Sequence, residues 1–230
     1  MNNQSIQVTA SVAFKAPYLE MVANFEKRTG IQIKTNWLPT VEIVDLIQKG
    51  MAGDLVILSG INIDTLLDQG FILANSRINY VSSGIGIGIQ KNSLKPKITS
   101  QEEFRNTLIN AQSIAYSTGP SGVYLKDLFE KMGLTEKLQA KLKIIQGEPV
   151  GMVVLRGEAE IGLQQIPEIL SVPEIDYLGP LPPELQSITT FAFAIPNNKS
   201  LTERVKSLID TLKSPDAQAS IERFGLTPCK

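Results

Sequence analysis

The chain has 230 residues, with 22 lysines and arginines against 23 acidic residues, no histidine and a single cysteine. That length holds one large domain or two small ones, each with its own core, and the near-neutral balance argues against nucleic acid, which usually meets a basic surface. The missing histidine excludes Ser-His-Asp and Cys-His catalysis and histidine-ligated metals, and no apolar run reaches the roughly 18 residues a bilayer requires. Cys229, beside the C-terminus, has no disulfide partner and no positioned base, so it reads as incidental. No metal or cofactor is implied. The opening Met1-Asn2-Asn3-Gln4-Ser5 lacks the basic, apolar and small-residue regions of a secretory leader. The expected location is therefore conditional: periplasmic if a leader was removed, cytoplasmic if Met1 is the native start.

Ile6 to Thr9 alternates apolar and polar residues as a strand does. Ser11-Val12-Ala13 then turns into a helix expected to begin near Pro17, where a missing N–H costs nothing. Leu19, Met21, Val22 and Phe25 are its expected buried face, Lys27 and Arg28 complement the C-terminal dipole, and Gly30 ends it. Ile31 to Trp37 reads as a second strand. Pro39-Thr40 opens a second helix with Ile43, Leu46 and Ile47 on one face. Leu55 to Leu58, after Asp54, is an apolar run suited to a strand covered on both faces. A third helix from about Asn62 to Gln69 completes a βαβαβα series, which predicts a parallel sheet with right-handed crossovers.

Ser83 to Ile89 alternates glycine and isoleucine, a strand with one face stripped so that a neighbour can approach closely. It lacks the spacing of a phosphate loop. Thr99 with Glu102, or Ser100 with Glu103, forms a capping box for a helix to about Asn110. Ser113 to Tyr116 is a strand, Ser117 to Gly122 a loop into a helix ending at Gly133, and another β–α–β unit follows with strands near Lys143 to Gln146 and Ile161 to Gln164. Beyond Pro180-Leu181-Pro182-Pro183 comes a long strand from Ser187 to Ile195. Ser200 and Glu203 cap one helix, and Ser214-Pro215 starts another that ends near Gly225. The predicted class is α/β, mixed sheets flanked by helices in two lobes. Residues 1–82 and 188–230 form a discontinuous first lobe and 83–187 the second, joined by extended crossovers near Val81 to Gly84 and Leu185 to Thr190.

Five segments, in order, carry a resemblance. They are Leu19 to Gly30 with Ile31-Gln32-Ile33; Gly50-Met51-Ala52-Gly53-Asp54-Leu55-Val56-Ile57-Leu58-Ser59; Pro120-Ser121-Gly122-Val123-Tyr124 running to Gly133; Arg156-Gly157-Glu158-Ala159-Glu160-Ile161-Gly162; and Ser214-Pro215-Asp216-Ala217-Gln218 closing on Phe224-Gly225. Together, from about residue 6 to 228, they resemble the molybdate-binding proteins of bacterial type II ABC importers and their relatives. That resemblance implies a type II periplasmic-binding-protein fold (a Venus flytrap) that closes on a small anion in a cleft between its lobes. It also implies a monomer serving an ABC transporter permease. The family's first cleft serine falls on Ala13, with Ser11 two residues earlier. Its second serine loop falls on Leu38-Pro39-Thr40, where Thr40 keeps a hydroxyl, and its late tyrosine falls on Gln165. A tetrahedral dianion would lose partners here at about 1–3 kcal/mol each, so an organic carboxylate (an oxyanion being the family default) is the favoured ligand. Some relatives of the family are isomerases of small tricarboxylates, and an aconitate isomerase-like activity is the second expectation. A ligand-sensing domain is a third, with no DNA-binding helix pair appended.

The expected ligand residues are Ser11, Ala13, Lys15, Thr40, Ser59, Ser117, Thr118, Ser121, Gly122 and Gln165. Helix N-termini at the carboxyl ends of strands offer free N–H groups and a favourable dipole to an anion. Each hydroxyl could instead cap its own helix; Ser117, Thr118 and Ser121, with Gly119 and Gly122, exceed what a cap needs. Lys15 could be solvated, Arg77 could form a surface ion pair, and Tyr124 reads as packing. Gln164 and Gln165 must face opposite sides of a strand. No catalytic residue is assigned: any base would be a carboxylate, Lys15, Tyr124 or a water. Glu158 and Glu160 read as solvated surface.

Overall fold

Burial in the chain follows the strand and helix periods of the sequence. In the computed structural model, which describes residues 5–229, β1 (Ser5–Ser11) passes through a 3-10 turn at Val12–Phe14 into α1 (Lys15–Thr29). The helix thus starts before Pro17, which falls in its first turn. Tyr18 takes the core position expected of Leu19, which is 47% exposed; Tyr18 lies four residues before Val22 and seven before Phe25, on their face. Gly30, at φ 69°, stops the helix in the left-handed region. β2 (Gln32–Leu38), α2 (Thr40–Gln48), β3 (Leu55–Ser59) and α3 (Gly60–Asp68) follow. β1 pairs in parallel with both β2 and β3, as the alternation predicted. β4 (Ile78–Ser83) is a strand where only an extended crossover was expected. Met1–Gln4, which carries the question of a leader, lies outside the described residues.

β5 (Ile85–Gln90) is the glycine–isoleucine strand. A Cβ on Gly86 would come within 2.8 Å of the Tyr177 ring, and one on Gly88 within 2.9 Å of Ile175 and 3.1 Å of Ile169. α4 (Gln101–Asn110) is capped by Ser100, which accepts from Glu103 N–H, while the Glu103 carboxylate accepts from the backbone and hydroxyl of Thr99. β6 (Ile114–Ser117), α5 (Pro120–Lys131), α6 (Thr135–Leu138), β7 (Leu142–Ile145), α7 (Val150–Leu155), β8 (Ile161–Gln165), α8 (Ile166–Leu170) and β9 (Ile175–Pro180) complete this stretch. α7 is the helix expected between the strands β7 and β8, whereas α6, α8 and β9 were not anticipated. After a 3-10 turn at Pro183–Leu185 the chain forms β10 (Thr189–Ala194), α9 (Glu203–Leu212), α10 (Pro215–Arg223) and β11 (Thr227–Pro228). Thr202, not Ser200, caps α9, its hydroxyl accepting from Val205 N–H at 3.3 Å.

Two compact units result, one of residues up to Ser82 with those from Thr190 on, the other Ser83–Thr189. The first holds a six-stranded sheet in the order β11-β4-β10-β3-β1-β2, with β10 antiparallel to β3. The second holds the order β7-β6-β8-β5-β9, with β6, β7 and β8 parallel and β5 antiparallel to β8 and β9. Each sheet is covered on both faces by separate apolar clusters. In the first unit Phe14 is the hub: it is 1% exposed and meets Tyr18, Trp37, Tyr80 and Phe191 edge-on at centroid distances of 5.6–6.2 Å. Phe14→Ala should destabilise this unit by about 3–5 kcal/mol, read as an earlier denaturant transition followed by Trp37 fluorescence. A shift of a few tenths would show the ring to be replaceable.

Candidate functional site

Parallel pairing brings the ends of β1, β2 and β3, at Ser11, Leu38 and Ser59, to one edge of the first sheet. Ser11 is 5% exposed and its hydroxyl accepts from Ala13 N–H at a long 3.5 Å. Ala13 is buried, and Lys15 opens α1 with its Nζ 5.8 Å from the Trp37 ring centre. Thr40 is the first residue of α2. Ser59 is 1% exposed and caps no N–H of α3; its hydroxyl accepts from Asn62 Nδ2 at 2.5 Å. Arg77 closes an ion pair with Asp64 at 2.5 Å and donates to Asn79 at 2.8 Å. A row of exposed apolar side chains stands beside these hydroxyls: Val12 is 44% exposed, Val41 79% and Ile61 76%.

In the second unit the parallel strands β6, β7 and β8 end together at Ser117, Ile145 and Gln165. Ser117 Oγ accepts from Gly119 N–H at 3.4 Å, and Thr118 N–H donates to Ile145 O at 3.3 Å, leaving the Thr118 side chain exposed. α5 starts at Pro120 and folds straight back over the strand. A Cβ on Gly122 would lie 1.5 Å from the Ser117 carbonyl oxygen, so no other residue fits there. This close approach buries Ser121 to 2% exposure, and its Oγ has no hydrogen-bond partner. Tyr124 Oη donates to Leu185 O at 2.9 Å, a packing role.

The two glutamines face opposite sides of β8. Gln165 is 1% exposed. With the amide oriented by its partners, its NH2 meets Ser83 Oγ at 3.0 Å and the carbonyls of Gly84 and Ser83 at 3.1 and 3.2 Å, and its carbonyl accepts from the Thr189 hydroxyl at 2.9 Å. Gln165 therefore holds Ser83 and Thr189 in place, with its own amide already engaged. On the other side, Gln164 Oε1 accepts from Val150 N–H at 2.8 Å and its Nε2 donates to Glu168 Oε1 at 2.6 Å. Burial pushes the Glu168 carboxyl up to about 8, outweighing the lowering effect of the Gln165 N–H that it accepts. Ser83, Thr189 and Glu168 escaped the sequence reading, and Gln164 entered it only as the partner facing away from Gln165. Only the Gln165-Ile166-Pro167-Glu168 spacing, a polar residue followed by an acid three places on, marked one of them. Glu158 pairs with exposed Arg156, which holds it and Glu148 below the usual carboxylate range, and Glu160 accepts from Gln112 N–H. Among the described residues, no group of three or more acids or cysteines could hold a metal, and no helix is long and apolar enough to cross a membrane.

Hydroxyls and helix starts gathered at the carboxyl-end edges of two mixed α/β sheets define a binding protein for small solutes. A family model described as bacterial extracellular solute-binding protein matches residues 6–227, and the chain belongs to that family, with the type II periplasmic-binding-protein fold. It is similar to an aconitate isomerase from Pseudomonas sp., 34% identical over 230 residues that cover 97% of this chain and 88% of that protein. It is 25% identical to the molybdate-binding protein ModA of Azotobacter vinelandii, over 96% of this chain and 88% of that one. The solved periplasmic molybdate-binding protein of Azotobacter vinelandii superposes with a TM-score of 0.80 at 18% identity, covering 98% of this chain and all of that one.

Because Glu168 resists ionisation when folded and ionises near 4.5 when unfolded, its contribution to stability is whole below about pH 4.5, declines as pH rises, and levels off above about 8. Glu168→Gln should remove this fall, at most about 1.4 kcal/mol per pH unit, so calorimetry should show a flatter melting profile between those limits. An unchanged profile would mean that the carboxyl is solvated.

Proposed function

We propose that the chain binds a small organic carboxylate through hydroxyl and N–H groups at the carboxyl-end edges of its sheets. The observation that carries this is Ser121. Its Oγ is buried without a partner in the first turn of a twelve-residue helix, a state that costs about 1–3 kcal/mol and that a ligand oxygen would relieve. Ser117, Thr118 and the closely packed Gly122 stand with it. Ser11, Thr40 and Ser59, with Ala13 and Lys15 beside them, are the counterpart in the first unit, and Gln165 acts by holding the Ser83 and Thr189 hydroxyls. The exposed row Val12, Val41 and Ile61 favours a ligand with a carbon skeleton over a bare tetrahedral oxyanion. On this reading the protein works as a monomer and delivers its ligand to an ABC transporter permease.

Isothermal titration against molybdate, tungstate, sulfate, citrate and the two aconitates tests it. A tricarboxylate should bind at least tenfold more tightly than any oxyanion. Ser121→Ala should weaken that binding about tenfold or more while leaving the ligand-free protein as stable or up to about 1 kcal/mol more stable, since no bond is lost. Tightest binding of molybdate or tungstate, or an unchanged affinity in Ser121→Ala, would overturn the proposal.

A second reading, an isomerase of a small tricarboxylate, is favoured by the relative named aconitate isomerase, which is more similar to this chain (34%) than is the molybdate-binding ModA (25%). Proton NMR of cis- and trans-aconitate incubated with the protein decides it, and absence of interconversion would end it.

A further inference from the structure

We propose that Ser121 reads a hydroxyl group of the ligand, so that the carboxylate bound is an α-hydroxycarboxylate, its alcohol on the carbon that bears the carboxyl group. This rests on the carboxylate reading of the same site.

Three of the candidate ligand hydroxyls are buried, those of Ser11, Ser59 and Ser121, and they differ in what they have left to offer. The Ser11 oxygen accepts from Ala13 N–H, and the Ser59 oxygen from Asn62 Nδ2. Half-buried Ser117 accepts from Gly119 N–H in the same way. In each the oxygen is engaged and the proton is left to give. Such a group suits an ionised carboxylate, which can only accept. Ser121 differs, because its Oγ neither donates nor accepts within the protein.

Buried hydroxyls elsewhere in the chain give their protons to backbone carbonyls. Thr9 donates to Ala52 O at 2.7 Å, Ser76 to Leu73 O at 2.7 Å, Ser83 to Gly84 O at 2.9 Å and Thr107 to Lys97 O at 3.0 Å. A helical serine or threonine can also donate to the carbonyl four residues back, as Thr29, Thr65 and Thr211 do here at 2.8–2.9 Å. Ser121 has no such recourse. It is the second residue of α5, so the residue four back is Ser117, at the end of β6. The Ser117 carbonyl lies against Gly122 instead, and Gly119 O accepts from the N–H groups of Gly122 and Val123 at 2.9 and 3.1 Å. The chain thus supplies neither an acceptor for the Ser121 proton nor a donor for its oxygen.

A bare carboxylate answers half of this: it takes the proton and leaves the buried oxygen without a donor, which opposes binding. An α-hydroxycarboxylate answers both halves. Its alcohol O–H donates to Ser121 Oγ, while Ser121 O–H donates to an oxygen of the carboxylate on the same carbon. Those two ligand groups are neighbours, so one serine oxygen can meet both. An α-ammonium group would also donate, but its positive charge would face the unpaired N–H groups and positive dipole end that open α5. The first turn of that helix carries no acidic side chain to offset them.

Isothermal titration with two pairs of ligands tests this: citrate against tricarballylate, and malate against succinate. The members of each pair differ by one hydroxyl, on a carbon that bears a carboxylate. In at least one pair the hydroxylated member should bind the wild-type protein about tenfold or more tightly than its partner. In Ser121→Ala the two members should bind within about twofold of each other. In Ser121→Cys, whose thiol is a weak donor and a weak acceptor, the preference should also shrink. A serine that only packs would leave that preference unmoved. Equal affinities within both pairs in the wild type, or an aconitate bound more tightly than citrate, would overturn the hydroxyl reading and leave the carboxylate reading standing. A preference kept in full by both variants would overturn the assignment to Ser121. A wild-type protein that binds none of these carboxylates removes the carboxylate reading, and this inference with it.

Discussion

Parallel pairing of β1 with β2 and β3, and of β6 with β7 and β8, obliges every strand-to-helix turn of a sheet to open on the same edge. Residues far apart in sequence, such as Ser117, Ile145 and Gln165, are brought to neighbouring strand ends by that constraint alone. Helix starts, with their unpaired N–H groups, come with them. The edge is thus polar by construction, and what distinguishes this protein is which side chains stand there. Serine and threonine hydroxyls do, next to bulky apolar side chains and one buried carboxyl.

Three missing side chains position much of that chemistry. Gly122 lets the first turn of α5 rest on the Ser117 carbonyl, and the resulting tightness seals off Ser121. Gly86 and Gly88 do similar work for α8, whose Ile166 and Ile169 fill the space that Cβ atoms on β5 would occupy. α8 carries Glu168, so the placement of the carboxyl depends on an absence two strands of sequence away. Apolar packing fixes the backbone, and the amide of Gln164 then fixes the acid.

The alternation of strands and helices through the first 70 residues was legible because each helix is long enough to show its apolar period and each ends on a glycine. The parallel pairing of β1, β2 and β3 followed from it. α8 was not legible: at five residues it is too short to display a period. β4 was missed because its partners, β10 and β11, come from the far end of the chain. At the site, counting hydroxyls drew attention to Ser121, but its burial comes from a backbone contact that composition does not encode. Gln165 was read as a ligand residue; its commitment to Ser83, Gly84 and Thr189 depends on strand ends meeting in space. Membership of the solute-binding family was legible in collinear motifs that record the scaffold more faithfully than the ligand groups.

The amide of Gln165 touches both the first and the last residue of the second unit, Ser83 and Thr189. That unit therefore enters and leaves through one doorway a single side chain wide. A segment with adjoining ends is, topologically, an insert: it can be gained, lost or exchanged within a host domain without the host strands having to part. The boundary of the module is thus held by the last residue of β8, so shuffling the module would carry its own clasp along with it.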